Sequence, residues 1–538
     1  GNVRYVNNII NIESEGYNSL SGALFTSPGG KFTIDYSQFV KLGQNPITFR
    51  PGTESAISYT LEVQNTAFKS CNTSSIFLDA QTECTISHSL FDNISYDSTN
   101  YLIDINNAIH KFTFDGSKLN NCIFDAERSR NLYLLHSEVI EQHFESIIFS
   151  NDDTDKSVLF LSLKGKTIEV IDCQFIKAHQ EFRNEAALTM ISSNNDNKFE
   201  VRGCTWDGNS GVNSFGYFID TYTPIIFEDN VIQNHLCGKY IGNIAYKSKQ
   251  AQVFTNISFI GNKGDVLYDG GAPIWFGNTN SLTFIDCKWI ENQAIFTGTD
   301  PNRGGPNGNG GGFQIGYTQS HYNNQVTFNR CLFESNVADT YGGALSLSTI
   351  EPVTITNCQF INNRAGNSKN QYLGTGGAIF IDTSFSFNGH PTGGKHMPEA
   401  TIDNCLFEGN SADDGHAIYI KGNSDSELEL HITGNTHFIN NGNKNKEALT
   451  QAEYSILLQI GNADIHDVEF ELTDEAKFSY PLMFDLTGSI NNVKIERASS
   501  NYSVLLFIPD KDTGYNLDNL IFKDCMCKDH VIEINNQN

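Results

Sequence analysis

Thr354-Ile355-Thr356-Asn357-Cys358-Gln359-Phe360-Ile361-Asn362-Asn363, followed by Gly376-Gly377-Ala378-Ile379-Phe380-Ile381, is the stretch on which the fold turns. Apolar residues alternate with polar ones before Cys358, which is the signature of a strand with one buried face. Cys358 and Phe360 lie two apart and so share a face. The same unit recurs along the chain. Cys-x-aromatic is found at Cys122-Ile123-Phe124, Cys173-Gln174-Phe175, Cys204-Thr205-Trp206, Cys287-Lys288-Trp289, Cys331-Leu332-Phe333 and Cys405-Leu406-Phe407. Copies without the cysteine are Thr66-Ala67-Phe68, Ser89-Leu90-Phe91, Ile257-Ser258-Phe259 and Thr436-His437-Phe438, with a weak copy near Ile232. The underlying step is about 23–33 residues, the size of a solenoid repeat.

Several short strands per step, with no amphipathic helix between them, make each repeat one turn of a coil. Stacked turns pair in parallel about 4.8 Å apart. The chain is therefore read as all-β, a right-handed parallel β-helix, its handedness taken from the crossover rule. About 16–18 coils over roughly 80 Å are expected at that strand spacing. Cys and Phe should form inward ladders. The Asn three residues after the aromatic should take the left-handed corner and bond its stacked equivalents. The Gly pair should sit at a corner where a Cβ would strike the next coil. Looser copies of that corner are read at Gly311-Gly312-Phe313 and Gly271-Ala272. The whole of 1–538 is read as one domain, with inserted loops at 298–312 and 385–398 and irregular coils over 440–538.

Composition narrows the function. The 538 residues carry 35 Lys and Arg against 62 Asp and Glu, a formal charge of −27. That balance argues against nucleic acid, which needs a clustered positive footprint. No run approaches the roughly 18 apolar residues of a membrane span. The start at Gly1 reads as a processed or engineered one, with any leader or anchor outside the sequence.

Gly-Gly-Ala-[Ile/Leu/Val] alternating with Phe-x-x-Asn resembles the polymorphic membrane proteins of Chlamydia and similar surface proteins of parasitic protists. Gly342-Gly343-Ala344-Leu345 and Gly376-Gly377-Ala378-Ile379 carry the first element. The second runs from Phe259, Phe333, Phe360, Phe407 and Phe438 to Asn262, Asn336, Asn363, Asn410 and Asn441. The resemblance implies a surface-exposed β-helix acting in adhesion, located extracellularly or at the cell surface, with a host-cell protein, matrix or glycan as partner. It departs from the family in that 440–538 lack the alternating strands of a transporter barrel.

Candidate site residues follow. Most cysteines fall on one repeat position and should be buried thiols; Cys71 and Cys84, off that position, are the best disulfide candidate. Asn72, Asn93, Asn256 and Asn501 head glycosylation sequons. β-Helix enzymes that cut polysaccharides cluster carboxylates on one sheet for acid/base work or Ca²⁺. Asp413-Asp414-Gly415-His416 is the densest such signal, but it occupies the Gly-Gly-Ala slot, so a corner with an exposed His416 is expected. Asp265, Asp269 and Asp339 are corner acids that could stack to bind Ca²⁺ weakly; no other cofactor is read. Gly389 to Gly394-Lys395 mimics a phosphate loop, yet His396 replaces the Ser/Thr and no helix follows. The inserted loops offer Asp300, Asn302, Arg303, His390, Lys395 and His396 as binding residues. The leading reading is a non-catalytic extracellular binder. The alternatives are a carbohydrate-active enzyme and a structural subunit that stacks end to end. A catalytic groove should collect at least three carboxylates plus Lys or Arg on one sheet across adjacent coils.

Overall fold

The computed structural model describes residues 3–6, 9–11, 30–40, 47–49, 59–71, 76–78, 82–96, 101–105, 111–124, 133–151, 159–179, 186–192, 195–265, 274–295, 309–315, 325–348, 351–366, 374–382, 399–421, 428–442, 454–471, 480–497, 499–500, 505–507, 515–527 and 532–534. Among them every regular element is a β-strand, and the strands pair in parallel as stacked coils, a β-helix. No helix among the described residues is long and apolar enough to cross a membrane. The chain divides into two compact units, Gly1–Cys237 with Ile241–Gln250, and Gly238–Tyr240 with Ala251–Asn538.

In the first unit the aromatic position steps through Phe39, Phe68, Phe91, Leu119, Phe149, Phe175, Trp206 and Ile232, each the register partner of the next. All are buried. Phe39 and Phe68 stack with ring centroids 4.9 Å apart, and Phe149 and Phe175 at 5.3 Å. In the second unit the column is Phe259, Trp289, Phe333, Phe360, Phe407, Phe438, Phe470, Ile495 and Phe522. There Phe333 and Phe360 stack at 4.8 Å and 1°. The stacking distance is the strand spacing itself, so parallel register and ring geometry enforce one another. The column continues through Phe470, Ile495 and Phe522, where the repeat motif is absent.

The corner after each aromatic is held by side chains. Asn363 Oδ1 accepts the Asn336 backbone N–H at 3.1 Å and its Nδ2 at 2.9 Å. Asn363 Nδ2 in turn donates to the Phe333 carbonyl at 2.9 Å and to Asn410 Oδ1 at 3.0 Å. Asn292, Asn336 and Asn410 repeat this pattern. A second column lies two residues before the aromatic. Cys331 N–H donates to Cys358 Sγ, Cys358 N–H to Cys405 Sγ, and Cys405 N–H to Thr436 Oγ1. The first unit does the same with hydroxyls: Thr66 N–H donates to Ser89 Oγ, and Ser89 N–H to Ser117 Oγ. Cys, Ser and Thr interchange where that bond is made, while Ile147, Ile257 and Val468 fill the same buried position without it.

Four expectations are corrected. The left-handed residue is the one before the ladder Asn: Asn362 has φ 55°, as Gly261, Glu291 and Ser335 do at 62°, 57° and 56°, while Asn363 keeps negative φ and turns inward. Cys122 is not at the thiol position. Leu119 fills the aromatic slot of its coil, and Cys122 stands in the Asn slot, reaching the Phe91 carbonyl at 3.6 Å. The looser corner is Gly310-Gly311-Gly312, because Gly311 N–H bonds the Gly342 carbonyl and Gly312 N–H that of Ala344. Cys71 and Cys84 remain buried thiols, not a disulfide. Cys71 follows the aromatic strand at the corner, whereas Cys84 points inward from Thr82–Ser87 between Leu61 and Phe112. The glycine expectation holds: a Cβ on Gly343 would run into the Gly377 carbonyl and the Arg364 backbone.

The Asn ladder yields a graded test. Asn363→Ala should cost about 1–3 kcal/mol for each group it leaves unpaired. Asn363→Asp should lower the thermal midpoint further, since an oxygen would replace the donor facing Phe333 O and Asn410 Oδ1; calorimetry ranks the two. Burial pushes the Cys122 thiol up to about 12, so maleimide should leave Cys122 unlabelled in the native protein and modify it in denaturant, read by peptide mass.

Candidate functional site

The acids singled out in the sequence hold the glycine corner together. Asp413 Oδ2 accepts the Gly374 N–H at 2.8 Å, and Asp414 Oδ1 the Gly415 N–H at 3.1 Å. His416 is fully buried rather than exposed, and its Nδ1 accepts the Ala412 N–H at 3.1 Å. It stands where Gly343 and Gly377 stand in the preceding coils, and its imidazole turns into the interior. Asp339 is buried too. The strand Lys263–Asp265 pairs with Gln293–Ile295, so Ile295 lies opposite Asp265. The next coil brings Asp339 to that column, and Ile295 separates the two acids. Asp269, Asp300, Asn302, Arg303, His390, Lys395, His396, Asn72 and Asn501 lie outside the described residues. Asn93 and Asn256 are exposed at left-handed corners, each with φ 53°. Among the described residues no group of three His, Cys, Asp or Glu is arranged to hold a metal ion.

A different constellation emerges on the first unit. The strands Lys111–Asp115, Glu141–Glu145, Thr167–Ile171, Lys198–Arg202 and Ile226–Glu228 are successive rungs of one sheet. Phe112, Phe114, Phe144, Ile168, Val170, Phe199, Val201 and Phe227 take the inner positions and are buried. Strand alternation then sends the intervening residues outward. Register aligns them into columns: Lys111, Glu141, Thr167 and Lys198; Thr113, His143, Glu169 and Glu200; Asp115, Glu145, Ile171, Arg202 and Glu228.

These groups interlock across the rungs. His143 Nδ1 lies 3.1 Å from Glu169 Oε2, and its Nε2 3.1 Å from Glu145 Oε2. A ring carrying both protons donates to both carboxylates, whereas a neutral ring donates to one. Lys198 Nζ donates to Glu169 Oε1 at 3.1 Å and lies 3.3 Å from Glu200 Oε2. Arg202 Nη2 spans Glu200 at 3.2 Å and Glu228 at 3.1 Å. An open depression of about 410 Å³ lies at this face, lined by Lys111, Thr113, Glu141, His143, Thr167 and Glu169, with the buried Phe112 and Gln142.

Partial burial pushes the Glu169 carboxyl up, but hydrogen bonds from Lys198 and His143 outweigh it and hold the group below the ordinary glutamate range. The Glu169 and Glu200 carboxylates hold the Lys198 ammonium above the usual lysine range. The face thus presents carboxylates, an imidazole, an ammonium and a guanidinium on one sheet across adjacent coils. Such groups can bind sugar hydroxyls, and they are also the groups that general acid/base chemistry employs. The sequence did not reveal them. His143, Glu169, Lys198 and Arg202 sit in no motif and are joined only by the register of their strands.

Neither a protein-family model nor a curated protein matches the chain. Among solved structures, the PL6 family alginate lyase AlyGC is similar with a TM-score of 0.18 and 10% identity, over 94% of this chain and 95% of that one. A mutant of AlyGC gives 0.16 and 9% over the same shares. Scores at that level do not bear on activity.

The lowered Glu169 carboxyl has a pH consequence. Its stabilising contribution is present above the ordinary glutamate range and is lost as the pH falls through the lowered value. Glu169→Gln should therefore lower the thermal midpoint at neutral pH, and the gap from the parent should close on acidification. Raised salt should narrow it as well, because the group is partly exposed.

Proposed function

We propose that the protein is an extracellular β-helix that binds an extended glycan of a host-cell or matrix surface along the outer sheet face of its first unit, without cleaving it there. One observation carries the reading: the polar columns through Lys111, Thr113, His143 and Glu169 border an open depression and repeat at the coil step. That step, about 4.8 Å, is comparable to the rise of one pyranose along an extended chain. A polymer lying across the rungs would meet a fresh set of donors and acceptors with each sugar. The acidic excess of the face favours a neutral or amino-bearing glycan over a polyanionic one.

A second reading, cleavage of the bound glycan, is favoured by the bracketing of His143 between Glu145 and Glu169, with Lys198 and Arg202 on the following coil. This meets the criterion of several carboxylates plus Lys or Arg on one sheet.

A glycan array and a polysaccharide-cleavage assay on the same samples separate the two. Binding without turnover, weakened about tenfold or more by Glu169→Gln or His143→Ala, is the expected result. Turnover lost in those variants would make the face an active site. Ligand binding that survives both substitutions would remove the face from the function altogether.

A further inference from the structure

A second column of the first unit carries chemistry of another kind. The strands Ile103–Ile105, Tyr133–Ser137, Leu159–Gly165 and Leu188–Ser192 are successive rungs of a separate face. Asp104 is opposite His136, His136 opposite Ser162, and Ser162 opposite Thr189. Ile103, Ile105, Leu135, Leu161, Leu163 and Leu188 are fully buried in the alternate positions; within the polar column His136 and Ser162 are partly exposed, and Asp104 and Thr189 are buried. His136 Nδ1 lies 3.4 Å from Ser162 Oγ, and its Nε2 3.7 Å from Glu138 Oε1. Lys164 Nζ donates to the other oxygen of Glu138 at 3.3 Å. The Tyr101 ring stacks on the imidazole at 4.5 Å and fixes its plane. Thr189, one rung beyond Ser162, is hydrogen-bonded to Tyr133 Oη at 2.6 Å.

A hydroxyl beside an imidazole whose far nitrogen faces a carboxylate is the general form of an activated nucleophile. Its two contacts are longer than those of a reacting complex, as free enzymes often show. We propose that Ser162 and His136 form an acyl-transfer site for carboxylic esters, with Glu138 as the positioning residue. Ser162 Oγ attacks the ester carbonyl carbon while its proton passes to His136 Nδ1. The bond to the alcohol oxygen breaks, and His136 returns the proton to that oxygen. Water then attacks the acyl-Ser162 ester and gives a proton to His136. The bond to Ser162 Oγ breaks, Oγ takes that proton back, and the carboxylic acid leaves.

Burial lowers the proton affinity of His136. Glu138 opposes that effect and Lys164 adds to it, and the net result is a ring below the ordinary histidine range. Tyr101, Asp104, Glu138 and Lys164 are the titratable groups around it. A ring held neutral near pH 7 is ready to accept the Ser162 proton.

The test uses the full chain with a fluorophosphonate probe and with p-nitrophenyl acetate. Probe attachment mapped to Ser162 by peptide mass, and acetate release above the buffer rate, are expected. Ser162→Ala should abolish both while leaving the circular dichroism unchanged. The pH–rate profile should rise through a midpoint below the ordinary histidine value, and Glu138→Gln should move that midpoint lower still, a shift that a purely structural role would not produce. An unmodified Ser162, or hydrolysis by Ser162→Ala at the parent rate, would overturn the proposal. Ser162→Cys gives an independent reading. Its thiol should alkylate faster at neutral pH than an ordinary exposed cysteine, and the His136→Gln change should remove that advantage; equal rates would argue against activation.

Discussion

On the ladders of this fold a buried side chain has the equivalent residue of the next coil as its neighbour, one strand spacing above or below. A residue type is admissible on a ladder only if it is compatible with a copy of itself about 4.8 Å away. Phenylalanine satisfies that condition by offset stacking, as Phe333, Phe360, Phe407 and Phe438 do. Asparagine satisfies it by being both donor and acceptor, which an ionised aspartate in the same place could not be. A small thiol or hydroxyl satisfies it by accepting the backbone N–H of the preceding coil while donating to a carbonyl of its own corner, as Cys405 Sγ does to Asp403 O. The corners follow from the same constraint. Left-handed residues pay no penalty in packing because they sit outside the stack, and Gly343 and Gly377 are needed where the backbones of neighbouring coils meet.

The outer surface obeys the constraint in reverse. A column of like charges at that spacing would repel, so cations interleave with acids across and between columns. Lys198 lies between Glu169 and Glu200, and Arg202 between Glu200 and Glu228. The second unit arranges its C-terminal coils alike, with Lys494 joining Glu469 to Glu496 and Lys523 also on Glu496. Exposed pairs of this sort contribute little stability singly. The coil step converts scattered residues into ordered rows of polar groups, the arrangement on which the proposed glycan binding rests.

The legibility of the chain follows from where the constraint acts. Self-stacking forces buried positions into repetition, so Phe360, Asn363 and Gly376-Gly377-Ala378 announce themselves. Degenerate copies such as Thr66-Ala67-Phe68 can still be aligned, because the small polar residue serves the same bond. Sequence and structure part where two slots accept the same residue: Cys122 fits the Asn slot as well as the thiol slot, and the nearby Phe124 imitates the thiol register. His416 differs for another reason: a polar residue in a glycine slot has the pattern of a surface group, yet its ring is buried. Outward positions carry no such demand. His143 and Glu169, or His136 and Ser162, are neighbours only because intervening loops return the chain one rung higher.

The sequence by itself determined that this is an all-β chain of stacked coils with aromatic, asparagine and thiol ladders, because those features are local and recur. Only the tertiary structure decided which residues face one another outside the core. Lateral proximity there depends on the register between rungs 26 residues apart for His143–Glu169 and His136–Ser162 alike. That register is set by the packing of the ladders within, to which the outward residues themselves contribute nothing legible.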